Sequence, residues 1–350
     1  MMLCRACSKR FEKKFAIGDC HVCGNRMDGA EKAVLSYDFK SIAASGAKRF
    51  SVSSAIGKKT LMNEEDVFDV CLGETIKRQL NRIMREVIEK KTGWEYDPDC
   101  PDVSFSLDFN SGKMSHRMEP LFVFGRYEKL EPNVSQKEWI VKRFPSLEGI
   151  IGKKMKEMAK ADAFTMHASG REDIDVTNTA GRPFVMELRG AKVRNANLKK
   201  MEKEINEDKR VKVKLVSYAN PSFVALVSDS HFDKTYRAHI SSEPELDEND
   251  LKKIMALEGR AISQQTPVRV INRRADLIRL RKIHSLKAGK DDKGRYVDIG
   301  CEAGLYIKEL VNGDGGRTNP SFSTATNKNV RCDSLTVTEI KDRFLDTVKP

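Results

Sequence analysis

At 350 residues, with 39% apolar and 33% charged side chains, the chain has the composition of a folded globular protein and a length that suggests two domains. No run approaches the roughly 18 apolar residues of a membrane span, and the opening MMLCRACSKRFEKKF has no apolar core of the secretory kind, so a cytoplasmic protein is expected. The formal net charge of +12 favours a polyanionic partner, most of all between Arg269 and Arg295, where ten Lys or Arg stand against three Asp; Glu243 to Asp250 is mostly acidic.

The first element is a cysteine pattern. Cys4, Cys7, Cys20 and Cys23 spell C-x2-C-x12-C-x2-C, two knuckles that can present four thiolates to one tetrahedral ion. Such a set leaves no place for a water ligand, so the expectation is a structural zinc site over residues 1–30, with Lys9, Arg10, Lys13 and Lys14 offsetting the thiolate charge. The remaining four cysteines are scattered, and burial rather than disulfide formation is expected of them.

Val34 to Phe39 and Lys48 to Val52 read as short strands. Cys71 to Lys91 reads as a helix, with Ile76, Leu80, Ile83, Met84, Val87 and Ile88 at three- and four-residue spacing. Asp102 to Phe109 alternates Val103, Phe105, Leu107 and Phe109 with polar neighbours, and Leu121 to Phe124 is a second apolar run. A polar turn at Glu131-Pro132-Asn133 marks the expected limit of this α+β domain, 31–132. In 133–350, Leu147 to Lys160 is a helix, and Ala163 to His167 is a strand leading into Ser169-Gly170-Arg171-Glu172-Asp173. Phe184 to Leu188, Val211 to Tyr218, Val224 to Val227, Tyr236 to Ile240, Val268 to Ile271, Leu277 to Ile283, Tyr296 to Cys301, Leu305 to Ile307 and Asn329 to Val337 read as further strands. Helices are expected at Leu198 to Asn206 and Glu248 to Leu257. The spacing favours an α+β fold on a large, mostly antiparallel sheet flanked by helices.

Common enzyme signatures are missing. Gly57-Lys58 resembles the end of a phosphate-binding loop, but Val52 and Lys59 occupy its other key positions. There is no G-x-G-x-x-G, no H-E-x-x-H and no histidine cluster, which removes redox, kinase and metallohydrolase readings and leaves a cofactor-free enzyme or a binding module. The densest polar group is the turn from Ser169 to Val176, which by itself is compatible with incidental carboxylates on a loop.

From Pro120 onward the chain resembles the Pus-ten family of tRNA pseudouridine synthases. The matching segments are PLFVFGRYEKL (120–130), SLEGIIG (146–152), SGREDIDV (169–176), GRPFVMEL (181–188), KTYRA (234–238), QQTPVRV with RRADLIRLRKI (264–283) and GLYIKELVNGDGGRTNPS (304–321). The resemblance implies a zinc ribbon, a THUMP-like RNA-binding domain and a pseudouridine synthase catalytic domain. It implies isomerisation of uridine in the TΨC arm of tRNA, at position 55 and also 54, with no organic cofactor. It places the catalytic carboxylate at Asp173, the active-site tyrosine at Tyr236 and the basic partner of the aspartate at Lys308, with Tyr306 two residues earlier on the same strand. A cation about 4 Å from Asp173 is worth around 4 kcal/mol before desolvation at an effective dielectric near 20. Arg171 and Arg182 bracket the turn and either contact substrate phosphates or pair with Glu172 and Asp175; Arg273 and Arg274 belong to the basic run expected to track RNA. The family's arginine and leucine-glycine step after the aspartate is replaced by Thr177-Asn178-Thr179-Ala180, and Leu305 and Asn312 replace a threonine and a histidine. Nothing points to an obligate protein partner, so a monomer is expected. The competing readings are a non-catalytic THUMP-type RNA binder, and a methyltransferase whose glycine-rich cofactor loop is missing.

Overall fold

The computed structural model describes residues 1–138 and 144–348. The chain divides into two compact units: 1–121 with 156–163 and 188–196, and 122–155 with 164–187 and 197–350. No helix among the described residues is long and apolar enough to cross a membrane.

In the first unit the elements run β1 (Met2–Leu3), α1 (Arg5–Ser8), β2 (Ala16–Ile17), α2 (Met27–Ser36), α3 (Lys40–Ala43), β3 (Arg49–Ala55), α4 (Lys58–Phe68), α5 (Ile76–Thr92), β4 (Glu95–Tyr96), β5 (Val103–Asp108) and β6 (Lys113–Met118). Four strands form a sheet in the order β4-β3-β5-β6, parallel except for the β5–β6 hairpin. The alternation read from β5 is the reason it sits there: Val103, Phe105 and Leu107 are buried while the residues between them are not. Helix α5 starts where the Thr75 side chain caps the Arg78 N–H and stops at Gly93, whose φ of +70° ends the turn. Its Ile76, Leu80, Met84 and Ile88 share one core with Phe50 and Phe105, and Cys7, Cys20 and Cys23 lie in that same core. The cysteine module and the α/β layer are therefore packed as one body. Val34 to Phe39, expected as a strand, contains the end of α2 instead, because Met27, Ala30 and Val34 recur at helical spacing toward the core.

The second unit carries β7 (Leu121–Lys129), α6 (Leu147–Ala159), β8 (Ala163–Ala168), β9 (Thr177–Arg189), α7 (Leu198–Ile205), β10 (Val211–Ala219), α8 (Ser222–Ser228), β11 (Lys234–Ser242), α9 (Glu248–Met255), β12 (Ala261–Gln265), β13 (Ile278–Asp291), β14 (Gly294–Cys301), α10 (Ile307–Asn312), β15 (Thr318–Asn319), α11 (Phe322–Thr326) and β16 (Val330–Ile340). Among the described residues ten strands form a sheet in the order β10-β7-β9-β16-β11-β14-β13-β12-β15, with β8 beside β9. Every register resolved in it is antiparallel except β16 with β9. This is the mixed, mostly antiparallel α+β architecture expected.

Strand β7, which precedes the expected boundary at 132, lies in the large sheet between β10 and β9. Close packing fixes Gly125, where a Cβ would come within 2.9 Å of the Lys214 carbonyl and 3.0 Å of the Phe184 ring. Two expected strands are helical and a third is a loop that ends in a helix. Val224 to Val227 lies in α8, which begins directly after Pro221; Val268 to Ile271 lies in a 3-10 turn, Val268–Arg273; Leu305 to Ile307 leads into α10.

Candidate functional site

The turn between β8 and β9 carries Asp173 on a buried polar frame. Glu172, its side chain only 1% exposed, accepts hydrogen bonds from Arg182 Nε at 2.6 Å, Asn178 Nδ2 at 2.7 Å and the Tyr127 hydroxyl at 2.9 Å. Arg182 also donates to the Ser169 carbonyl at 2.6 Å, and Gln136 donates to the Gly170 carbonyl at 2.9 Å. Gly170 sits at φ +70°, which lets the chain reverse at this point. Burial alone would raise the Glu172 carboxyl, but the charge and hydrogen bonds of Arg182 outweigh it and hold the group below the usual carboxylate range.

Lys129, on β7, closes the frame from below. Its ammonium is buried and donates to the Asp173 carbonyl at 3.1 Å and the Ile174 carbonyl at 2.7 Å. Burial pushes it down to about 8, against the pull of Glu172, Asp175 and Asp173. The backbone on either side of the acidic side chain is thus held by a cation with no route to solvent.

The Asp173 side chain is 37% exposed, and two cations reach its Oδ2: Arg269 Nη1 at 2.8 Å and Lys308 Nζ at 3.9 Å. Lys308 lies closer to Asp175, at 2.6 and 2.7 Å from its two oxygens. Asp175 is held below the usual carboxylate range: burial would raise it, and the Lys308 ion pair more than compensates. Lys308 is the second residue of helix α10, and Tyr306 is the residue that caps that helix, so the expected shared strand does not exist. What places them is Gln264 on β12, which is buried and clamps both peptide groups of Tyr306, donating to its carbonyl at 2.9 Å and accepting from its N–H at 2.8 Å. The Tyr306 hydroxyl accepts from Arg274 Nη1 at 3.2 Å.

Tyr236 lies on β11 packed against the main core, and burial, followed by the nearby Cys301, raises its hydroxyl; Arg182, Glu172 and Asp173 are among the charges it feels. Asp173 and Lys308 thus lie 3.9 Å apart, and Asp173 is one of the charges acting on the Tyr236 hydroxyl. Arg171 and Arg273 are exposed. For Arg182 the structure shows the second of the two readings: its side chain, 2% exposed, pairs with Glu172 and donates to the Ser169 carbonyl. Sequence reasoning missed Lys129, Gln264 and Arg269 as parts of this site. The place of Lys129 in the PLFVFGRYEKL segment was the only signal for the first.

Residues 122–341 match the family model described as "Pus10, C-terminal". The chain belongs to the Pus10 family. A tRNA pseudouridine synthase Pus10 of Methanocaldococcus jannaschii is 38% identical over 268 residues, covering 71% of this chain and 59% of that one. Those of Korarchaeum cryptofilum and Archaeoglobus fulgidus are 32% and 31% identical, over 92% and 96% of this chain and 93% and 99% of theirs. A solved Cbf5-Nop10-Gar1 complex chain is matched at 15% identity over 63% of this chain and 48% of that one; with a TM-score of 0.34 the overlap of the two backbones is slight. The Pus10 model begins at the first residues of β7, where the second unit also begins. The departure at Thr177-Asn178-Thr179-Ala180 has a structural role here: Asn178 is fully buried and supplies one of the three donors to Glu172.

In the first unit the four cysteine Sγ atoms all lie within 4.8 Å of one another, with Cys4 and Cys23 at 3.6 Å. Tetrahedral thiolates about 2.3 Å from zinc would be separated by about 3.8 Å, so the set can hold a metal ion. The backbone N–H groups of Cys7 and Cys23 point at the Cys4 and Cys20 sulfurs, each at 3.4 Å, and Arg10 Nη2 lies 3.9 Å from the Cys7 sulfur. Each of these donors would offset the negative charge of a thiolate centre.

Proposed function

We propose that the chain is a tRNA pseudouridine synthase, an isomerase that converts uridine to pseudouridine in the TΨC arm, at position 55 and also 54, with Asp173 as its catalytic carboxylate. The observation that carries this reading is one partly exposed carboxylate on a buried, fully hydrogen-bonded turn, with two cations on its Oδ2. The tRNA pseudouridine synthase names of relatives aligned along nearly the whole chain support the substrate class.

The reaction breaks the N1–C1′ bond, turns the detached uracil and forms a C5–C1′ bond; C5 loses a proton, N1 gains one, and no atom is added. Asp173 would act as nucleophile or as stabiliser of positive charge on the ribose, and its cations keep it ionised in a site from which the bound RNA excludes water. Tyr236, its hydroxyl kept neutral by burial, would stack on the everted base and stand near the carbon that loses its proton. Arg171, Arg273, Arg274 and Tyr306 supply contacts to the substrate, phosphate first. Cys4, Cys7, Cys20 and Cys23 would hold a structural Zn2+, whose chemistry there is to fold the N-terminal segment rather than to react.

The decisive experiment is pseudouridine mapping on an unmodified tRNA transcript. Wild-type protein forms pseudouridine, while Asp173→Ala and Asp173→Asn fold and bind the transcript but form none. Turnover by either variant refutes the assignment, and a wild-type protein that binds tRNA without modifying it leaves the non-catalytic reading.

A further inference from the structure

We infer that Arg269, rather than Lys308, is the residue that positions the Asp173 carboxylate, and that the buried Glu309 holds Arg269 in place for it. The inference rests on the functional reading above. Arg269 belongs by sequence to the basic run expected on the RNA backbone, yet its guanidinium, 37% exposed, pairs with two carboxylates. Nη1 lies 2.8 Å from Asp173 Oδ2, while Nε and Nη2 donate to the two oxygens of Glu309 at 2.6 and 3.4 Å. One planar fork therefore spans two carboxylates and fixes their relative geometry, which the rotatable ammonium of a lysine does not.

The asymmetry between the two carboxylates assigns the roles. Glu309 is 4% exposed on the inner side of α10, and a buried carboxylate without its cation is strongly unfavourable, so this pair stays formed. Asp173 is open to solvent and to substrate, and it takes the edge of Arg269 that Glu309 leaves over. Lys308 comes only to 3.9 Å and spends its close contacts on Asp175. The 3-10 turn bearing Arg269 is braced at its base: the Val268 N–H donates to Asp314 Oδ2 at 3.0 Å, the Thr266 hydroxyl to the Ala275 carbonyl at 2.7 Å, and Arg317 Nη2 to the Thr266 carbonyl at 2.8 Å. A guanidinium fixed at the base and at Glu309 sets the torsion of Asp173, and an error of about 1 Å in such a group costs on the order of 10²-fold in rate.

The test is single-turnover pseudouridine formation at saturating transcript, with transcript affinity and thermal midpoint measured in parallel. Wild-type turnover is the first arm, and its absence overturns the functional reading and this inference together. With wild type active, Arg269→Gln should lower the rate constant by about 10²-fold while the Kd for tRNA changes by no more than about threefold. Glu309→Gln should slow the same step, and Arg269→Gln with Glu309→Gln should be no slower than Arg269→Gln alone, because the second residue acts through the first. Arg269→Lys should recover only part of the loss. If Arg269→Gln raises Kd and leaves the rate at saturation unchanged, Arg269 is a phosphate contact and the inference fails. It fails equally if both variants lower the thermal midpoint but the folded protein turns over at the wild-type rate.

Discussion

Replacing Arg182 by Met should be among the most damaging single changes in the second unit, and its cost should depend on pH. The substitution leaves the Glu172 carboxylate, 1% exposed, with two neutral donors, Asn178 at 2.7 Å and the Tyr127 hydroxyl at 2.9 Å, and no cation. Removing one partner of a buried pair costs about 3–5 kcal/mol, which for a unit of this size lowers the thermal midpoint by about 6–20 °C. Glu172 is held below its ordinary range in the folded protein, so its contribution is present above the unfolded carboxylate value near 4.3 and is lost as pH falls through the depressed folded value. In the variant the unpaired carboxylate is instead raised, and stability is lost as pH climbs past the unfolded value. The gap between wild type and variant, read from urea unfolding, should therefore be widest near neutrality and narrow toward acid, and adding Glu172→Gln to the variant should recover part of it. A gap below about 1 kcal/mol at pH 7, or one unchanged down to the acid limit of folding, refutes the reasoning.

Metal analysis should find one zinc per chain bound by Cys4, Cys7, Cys20 and Cys23, and a chelator should lower protection from amide exchange in the first unit before the second; metal-free protein of unchanged stability would sink that reading. Arg273→Ala with Arg274→Ala should weaken tRNA binding at low salt and reduce the slope of log K against log salt by about 1–2, with an unchanged slope as the contrary result. Lys129, pushed down to about 8 from 10.5, binds fewer protons folded than unfolded between those values, so the stability it confers increases as pH rises through that window. The advantage of wild type over Lys129→Met should accordingly grow from about pH 8 to about pH 10.5, and an advantage that shrinks there would show the ammonium is not buried as described.

The parts of this molecule legible from sequence are those where one local rule suffices. Alternation placed β5, three- and four-residue spacing placed α5, and the C-x2-C pairs placed four sulfurs in one cluster. Short apolar runs are ambiguous between strand and helix, and at Val224 to Val227 tertiary packing decided for helix. The site shows the same division. Asp173 was legible through the motif around it, but a basic residue carries no mark of where its charge is spent. Arg182 was left open between phosphate and Glu172, and Arg269 read as an RNA contact; both are held by glutamates, one adjacent in the motif and one on a helix forty residues on. Only long-range geometry distinguishes an arginine that meets RNA from one that sets the shape of the place where RNA reacts.

Arg10 ties the N-terminal cysteines into the body that follows them. Buried itself, it forms an ion pair with Glu64 of α4, donates to the Glu74 carbonyl just before α5 at 2.7 Å and reaches the Cys7 sulfur. Glu64 in turn accepts from the first N–H of α5 at 2.7 Å. A deletion that trimmed the cysteine segment as a detachable cassette would therefore strand a buried acid at the start of a seventeen-residue helix. An ion held by these sulfurs would be, mechanically, a rivet through the first unit.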